Sequence, residues 1–316
     1  MGEAMNQVRR FAVRRKLLFL PILVTSMLAT LAAPRLVAQK QGESRWTGER
    51  IACGDCHDAI QKQFRITGHG KAMEFSLGTA DVTCGSCHSG DLAKHSETSD
   101  PQFVHTPSKE RPLEAEANCL SCHSNDKTHM FWLGSAHETA GVSCLNCHSI
   151  HSMTEGRNDH LMAKRTESET CLSCHGEVRK AMFQRSRHLF RDERATLQME
   201  CSSCHNAHGT QTEKLISANS INDKCYSCHQ EKRGPFLWEH SPVRESCITC
   251  HSPHGSNNPR LLTLRVPQLC QSCHDQQRHQ VILGRPNAMW NINRACINCH
   301  PQIHGSNHPS GTTLNN

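Results

Sequence analysis

Cysteine and histidine are the residues whose spacing predicts chemistry in this chain. The 316 residues include 20 cysteines and 24 histidines, and every cysteine belongs to one of ten copies of the pattern C-x-x-C-H. Residues i, i+3 and i+4 share one face of a helical turn, so the two thiols and the imidazole of each copy can meet one ligand. Thiols at this spacing form thioethers to the vinyl groups of haem while the histidine binds its iron. The pattern therefore predicts covalently attached c-type haem.

Ten haem c groups, with their iron, are the predicted cofactors. Zinc ribbons and redox C-x-x-C pairs, the alternatives for so many cysteines, do not require histidine at the next position. The predicted thioether residues are Cys53, Cys56, Cys84, Cys87, Cys119, Cys122, Cys144, Cys147, Cys171, Cys174, Cys201, Cys204, Cys225, Cys228, Cys247, Cys250, Cys270, Cys273, Cys296 and Cys299. The predicted proximal iron ligands are His57, His88, His123, His148, His175, His205, His229, His251, His274 and His300.

A second set of histidines predicts the distal iron ligands. When the motifs are taken in consecutive pairs, each pair has one enclosed histidine between its two motifs and one trailing histidine shortly after the second motif. The enclosed histidines are His69, His137, His188, His240 and His279. The trailing histidines are His95, His151, His208, His254 and His304. The methionines keep no common spacing to the motifs, so methionine ligation of iron is not favoured.

The spacing also suggests which iron each distal histidine serves. A histidine three or four residues beyond a proximal ligand, such as His254 after His251, lies on the same side of that porphyrin and cannot reach its opposite face. We therefore expect it to bind a neighbouring iron. Our hypothesis is that the trailing histidine binds the first haem of its own pair, and the enclosed histidine binds the second. On this hypothesis His254 serves the haem of Cys225 and Cys228.

Four histidines fall outside this pattern, and we predict solvated or locally hydrogen-bonded roles for them. They are His105, His129, His160 and His308. Two alternatives stay open, because His129 could replace His137 as a distal ligand, and His105 could replace His95. The first motif pair is the least regular of the five.

The composition predicts that haem fills the interior. Only 36% of the residues are hydrophobic, with one tyrosine and four tryptophans, and residues 53–304 offer only about 25 residues per haem, too few to wrap each cofactor separately. The predicted fold class is a multihaem cytochrome c: elongated, with short helices and loops around a chain of ten haems and little or no β-sheet. Short helices are expected at the motifs. Residues 96–116, rich in proline, serine and charge, are predicted to form a surface loop.

The N-terminus predicts export from the cytoplasm. Five basic residues between positions 9 and 16 precede a mostly apolar run over residues 17–33, which is the layout of a secretory signal. We predict a signal peptide over residues 1–38 and a decahaem domain over residues 39–316, located in the periplasm. A retained membrane anchor is the alternative, although the apolar run is short and contains Pro21.

The charge of the chain argues against nucleic-acid binding. Residues 1–38 contain six basic residues and one acidic residue, so they hold nearly all of the formal net charge of +6. Each haem adds two propionates and one net positive ferric centre, which makes the haem-loaded chain acidic. Acidic proteins are repelled by phosphate backbones, so no nucleic-acid partner is expected.

Several segments carry a family resemblance. They read EKRGPFLWEHSPVRESC over residues 231–247, CHSPHGS over residues 250–256 and CHPQIHGSNHPSG over residues 299–311, with WLGSAH over residues 132–137. These segments resemble the MtrA/DmsE family of periplasmic decahaem cytochromes. The resemblance covers essentially everything after the signal peptide.

The resemblance implies a function and a set of partners. Members of that family carry electrons between periplasmic donors and the cell exterior, and many do so inside an outer-membrane β-barrel porin. The implied partners are such a porin, a periplasmic or inner-membrane quinol-linked cytochrome, and an outer-surface cytochrome or reductase. The resemblance also implies two five-haem halves that meet at a seam near residues 176–200.

Three functions are compared on this basis. The leading prediction is an electron conduit embedded in a porin and associated with the outer membrane, which would serve metal or sulfoxide respiration or iron oxidation. The alternative is a soluble periplasmic shuttle that delivers electrons to a terminal reductase. An enzyme is disfavoured, because catalysis at haem needs an open iron position and every haem here can be given two histidines.

Overall fold

The computed structural model describes residues 53–75, 83–109, 111–151, 160–188, 199–274 and 295–315. From residue 51 onward the chain forms one compact unit. The predicted signal peptide, the enclosed histidine His279 and most of the second half of the predicted seam lie outside the described residues. The two five-haem halves therefore stay a prediction.

Short helices make up most of the regular structure. In the described ranges the α-helices are α1 Asp58–Arg65, α2 Gly68–Phe75, α3 Cys84–Cys87, α4 Leu92–Thr98, α5 Pro112–His123, α6 Ala136–Thr139, α7 Cys144–Cys147, α8 Glu167–Cys171, α9 Gly176–Ala181, α10 Ile221–Tyr226, α11 Ser241–Glu245 and α12 Gln268–Gln271. The 3₁₀ turns are Cys53–Asp55, Pro101–Phe103, Cys201–Ser203, Glu213–Leu215, Gln230–Lys232, Cys247–Thr249, Pro259–Leu261, Cys296–Asn298 and Gly311–Thr313. None of the described helices has the length and apolar character needed to cross a bilayer.

Each C-x-x-C-H motif lies on one helical turn, as the spacing predicts. In nine motifs the backbone N–H of the histidine donates to the carbonyl of the first cysteine, with N···O distances of 2.8 to 3.1 Å. The remaining motif, Cys119 to His123, forms the end of α5. Some of these turns are capped locally, because the Ser143 N–H and hydroxyl both donate to the Asn146 side chain at the start of α7. The turn brings both cysteines and the histidine to one face.

β-structure is confined to short contacts. The strands β1 Ser89–Gly90 and β2 Val104–His105 form one antiparallel pair. The isolated bridges in the described ranges join His148 to Met162, Ser186 to Ser256, His205 to Ile216, Trp238 to Ser306 and His251 to Leu262. This architecture confirms the predicted fold class of short helices and loops with little sheet.

The side chains supply almost no hydrophobic core. Among the described residues the buried hydrophobic side chains are Ala115, Trp132 and Leu314. Ala115 lies just before the third motif, and Trp132 lies between the third and fourth motifs. The finding agrees with the expectation, drawn from composition, that something other than side chains must fill the interior.

The prediction of a surface loop over residues 96–116 is wrong at both ends. The first residues of this range complete α4, and the last ones begin α5, where Ala115 and Glu116 are buried. Pro112 starts α5 at a position that tolerates proline, since the first helical N–H needs no partner within the helix. The prolines and charges that suggested a loop thus mark a helix start.

Candidate haem-iron centres

The histidine rings face one another in pairs across a constant gap. Nine proximal histidines in the described ranges have a partner ring, with centroids 5.6 to 6.4 Å apart. Metal–imidazole bonds of about 2 Å on both sides of one ion place opposed ring centres roughly 6 Å apart. The pairs are His57 with His95, His88 with His151, His123 with His69, His148 with His208, His175 with His137, His205 with His254, His229 with His188, His251 with His304, and His274 with His240. The gap therefore fits an iron held by two imidazoles.

The pairing differs from the one that the sequence suggested. With the motifs numbered one to ten along the chain, the trailing histidine faces the second motif of the preceding pair: His254 faces His205 and not His229. The enclosed histidine faces the first motif of the following pair, as His188 faces His229. The facing rings therefore argue against the hypothesis that each distal histidine serves a haem of its own motif pair, for all described pairs except His95 with His57. In the other described pairs, the distal histidine belongs to one motif pair and faces a proximal histidine of an adjacent motif pair.

Contacts with the backbone of the next motif pair explain why histidines of adjacent motif pairs face each other. The Nδ1 atom of each of three enclosed histidines lies near the carbonyl directly before the next trailing histidine: His137 near Ala207 O at 2.9 Å, His188 near Pro253 O at 2.9 Å and His240 near Ile303 O at 3.1 Å. A carbonyl only accepts, so Nδ1 carries the proton and Nε2 keeps its lone pair for a metal. His69 departs from this rule, because its buried Nδ1 has no hydrogen-bond partner among the described residues.

Four of the five proximal histidines of the even-numbered motifs are held in a similar way, namely His148, His205, His251 and His300. The chain returns to each of them after a loop, and Nδ1 donates to a carbonyl of that loop. The distances are 2.8 Å from His148 to His160 O, 2.8 Å from His205 to Lys214 O, 2.8 Å from His251 to Arg260 O and 2.6 Å from His300 to Thr313 O. These contacts fix the tautomer and the orientation of each ring.

Each returning loop carries a leucine in a left-handed backbone conformation. The φ angles are +53° at Leu161, +56° at Leu215, +60° at Leu261 and +52° at Leu314. The carbonyls of these leucines accept from the backbone N–H groups of Ser149, Asn206, Ser252 and Gln302, just after the motif histidines. Positive φ is unfavourable for a bulky residue and persists only where surrounding contacts enforce it. Sequence analysis missed these four leucines, which share only a loose spacing of 10 to 14 residues after each motif histidine.

We expect Gly255→Ala to displace His254 from its iron. Gly255 directly follows His254 at φ +156°, and a Cβ there would collide with the Ala181 carbonyl. A glycine at such a position lets two backbones approach closely. Gly176→Ala is the matched control, because Gly176 directly follows His175 and has open space around its Cβ position. Optical and electron paramagnetic resonance (EPR) spectra should show one high-spin haem in the first variant and none in the second; equal spectra would contradict this role of Gly255.

Cysteine contacts place consecutive motifs side by side. Within motif pairs, the first cysteines meet: a hydrogen bond between Cys119 and Cys144 raises the pKa of Cys119 and lowers that of Cys144. The sulfurs of Cys171 and Cys201 lie within 4.8 Å of each other. Between pairs, the second cysteines interact, since burial and then Cys122 raise the pKa of Cys87. Within the other motif pairs, the first cysteines interact in the same way: Cys53 with Cys84, Cys225 with Cys247, and Cys270 with Cys296. Between pairs, the second cysteines also interact as Cys147 with Cys174 and as Cys250 with Cys273.

Polar side chains join neighbouring motifs at the same points. The carboxylate of Glu167 in α8 accepts from the Ser202 N–H at 2.6 Å and from its hydroxyl at 2.7 Å, across motifs five and six. Asn222 in α10 accepts from the Cys247 N–H at 2.8 Å, across motifs seven and eight. The neighbours in space are therefore neighbours in sequence.

Burial keeps several candidate ligands neutral. Desolvation lowers the pKa of His69, His88, His148, His240, His254 and His304. Burial, and after it the neighbouring His129, lowers the pKa of His208 to about 4. Iron binds the neutral imidazole, so these environments favour the ligand form.

The four histidines outside the pattern take other positions. His95 and His137 both face proximal histidines, which disfavours the alternatives that replaced them with His105 and His129. His308 accepts from the Ser310 N–H at 3.2 Å, a local hydrogen bond as predicted. The ring of His105 lies 3.6 Å from the carboxylate of Glu114. The backbone carbonyl of His160 accepts from Nδ1 of the proximal histidine His148. The ring of His129 packs against candidate ligands, which sequence analysis did not predict.

Helical C-x-x-C-H turns with opposed imidazoles define the class of multihaem c-type cytochromes. The family model described as a doubled CXXCH motif matches residues 137–180, 195–234 and 240–279, which contain six of the motifs. The chain is also 41% identical over 277 residues to the multiheme cytochrome MtrA of Shewanella baltica, over 83% of this chain and 80% of that protein. The chain belongs to the MtrA family of multihaem cytochromes, which confirms the resemblance. It binds c-type haem and transfers electrons.

Proposed function

We propose that this chain carries ten haems in sequence order and conducts electrons between the periplasm and the cell exterior while embedded in an outer-membrane β-barrel porin. The observation that carries the proposal is the continuity of contacts from motif to motif. First cysteines lie within hydrogen-bonding distance inside motif pairs, as Cys119 with Cys144. Second cysteines lie close enough to interact electrostatically between pairs, as Cys87 with Cys122, Cys147 with Cys174, Cys204 with Cys228 and Cys250 with Cys273. Electron tunnelling falls steeply with distance, so a chain of closely spaced haems is what a conduit requires.

The proposed ligands follow from the facing rings. Each of the ten motif histidines is the proximal ligand of its own haem, and nine of them take the distal ligand that they face in the structure. His300 is left with His279, the remaining enclosed histidine. Two imidazoles on every iron leave no open position for substrate, so we assign the role of electron carrier and no catalytic residue.

The small number of buried side chains around the haems favours a second protein that surrounds the chain. Three buried hydrophobic side chains among the described residues do not insulate ten cofactors. A β-barrel around the chain would exclude water and supply that insulation. The proposed partners are the porin, a periplasmic or inner-membrane quinol-linked cytochrome at one end, and an outer-surface cytochrome or reductase at the other. The signal peptide over residues 1–38 delivers the chain to the periplasm.

A tagged pull-down from detergent-solubilised native membranes tests this proposal. We expect a β-barrel protein in equal amount with the cytochrome, and we expect the barrel to protect the cytochrome from added protease. The control is the same cytochrome freed from the membrane fraction by strong denaturant, dialysed and exposed to the same protease. Recovery of the whole cytochrome in the soluble periplasmic fraction, with no barrel attached, would instead support the shuttle.

A further inference from the structure

One histidine outside the ligand set packs between two candidate haem centres. The ring of His129 lies 4.2 Å, centroid to centroid, from the ring of His208, which is the proposed distal ligand of the fourth haem. It also lies 5.7 Å from the ring of His123, the proximal ligand of the third haem. Among the described residues, it is the one histidine outside the proposed ligand set whose ring contacts candidate ligand rings.

The turn that carries His129 holds its ring in one orientation. The Thr128 hydroxyl donates to the Asp126 carboxylate at 2.8 Å, so its oxygen is free to accept from His129 Nδ1 at 3.1 Å. The carboxylate itself lies 3.6 Å from Nδ1. These contacts assign the proton of His129 to Nδ1 and restrain the orientation of the ring.

The loop that carries His208 is tied to the same turn. The Asn206 side chain donates to the Thr128 carbonyl at 3.1 Å and accepts from the His208 N–H at 3.1 Å. Trp132 lies nearby, with its ring 6.3 Å from that of His208, and its backbone N–H donates to the His129 carbonyl at 2.9 Å. These hydrogen bonds therefore hold the turn and the loop together.

From this geometry we infer that His129 is a positioning residue for the fourth haem, which sets the ring plane of His208 by direct contact. In the structure that plane lies 17° from the plane of His148. The angle between opposed imidazoles governs the g values of a ferric low-spin haem, and the groups behind an axial ligand tune its iron. The inference rests on the proposed assignment of His148 and His208 to one haem.

EPR spectroscopy of the oxidised, haem-loaded protein tests the inference. The difference between the native and His208→Ala spectra defines the low-spin signal of the fourth haem. We expect His129→Ala to shift the g values of that same signal while the haem content stays unchanged. His129→Phe keeps a ring against His208 and should return the signal most of the way to its native position. His308→Ala, which removes a histidine with only local hydrogen bonds, is the control and should leave the spectrum native.

The outcomes separate this inference from the proposed function. A native spectrum for His129→Ala, or a shift in a different haem signal, overturns the positioning role alone. A His208→Ala protein that loses no low-spin haem overturns the ligand assignment as well. If His129→Ala does not accumulate, Thr128→Val replaces it, because that change removes the hydroxyl that holds His129 Nδ1 and keeps the His129 ring in place. The signal of the fourth haem should then shift, and an unshifted signal overturns the inference.

Discussion

Replacing His254 with alanine is expected to make one haem high-spin, namely the haem of Cys201 and Cys204. The rings of His254 and His205 face each other at 5.9 Å, and no other described histidine ring lies opposite His205. Loss of the distal imidazole leaves that iron five-coordinate or water-bound, which weakens the ligand field. The optical and EPR spectra should lose one low-spin haem and gain one high-spin haem.

Two combined variants identify the affected haem. Adding Cys201→Ala and Cys204→Ala to His254→Ala removes the haem of motif six, so the high-spin signal should disappear. Adding Cys225→Ala and Cys228→Ala instead removes the haem of motif seven, and the high-spin signal should persist. The reverse result would restore the sequence-based hypothesis, in which His254 serves its own motif pair.

Expressing residues 39–316 without haem attachment is expected to give an unfolded chain. Each buried hydrophobic side chain contributes at most about 3 kcal/mol, and the described residues bury only Ala115, Trp132 and Leu314. Ordering the backbone costs about 1 kcal/mol or more per residue, so these side chains cannot offset it. Haem attachment supplies the missing apolar contacts, and folding is coupled to it.

Circular dichroism and limited proteolysis check this expectation. The haem-free chain should show no cooperative thermal transition and should be digested rapidly, whereas the same residues with haem attached should melt cooperatively and resist digestion. A cooperative transition in the haem-free chain would show that the side chains form a core of their own.

The sequence predicted the sites in much greater detail than the folding around them. The C-x-x-C-H spacing alone requires a helical turn, and the backbone bond from His205 to Cys201 shows that turn at 2.9 Å. The enclosed and trailing histidines were predicted to bind iron, and nine of these ten face a proximal histidine ring in the described residues. Local spacing was sufficient to predict the helical turns and to select the histidines that face one another.

The partner of each distal histidine could not be read from local spacing. It depends on contacts between segments about 65 to 70 residues apart, such as His188 with Pro253 and His137 with Ala207. The glycines after the trailing histidines were visible in the sequence, but their purpose appears only when the Ala181 carbonyl lies against Gly255. The left-handed leucines likewise depend on the returning loops.

The C-terminal segment illustrates the same limit. Its glycines, proline and serines are residues typical of loops. In the structure the Thr313 carbonyl holds the ring of His300, and Ser306 pairs with Trp238. The Thr313 carbonyl therefore fixes the tautomer and orientation of the His300 ring.

The central claim is that the haems follow one another in the order of their motifs. Anomalous scattering at the iron edge, from crystals of the haem-loaded protein, locates every iron independently of the protein coordinates. We expect ten irons, each with the irons of the preceding and following motifs as its nearest neighbours. An iron whose nearest neighbour belongs to a motif that is not adjacent in sequence would contradict the account.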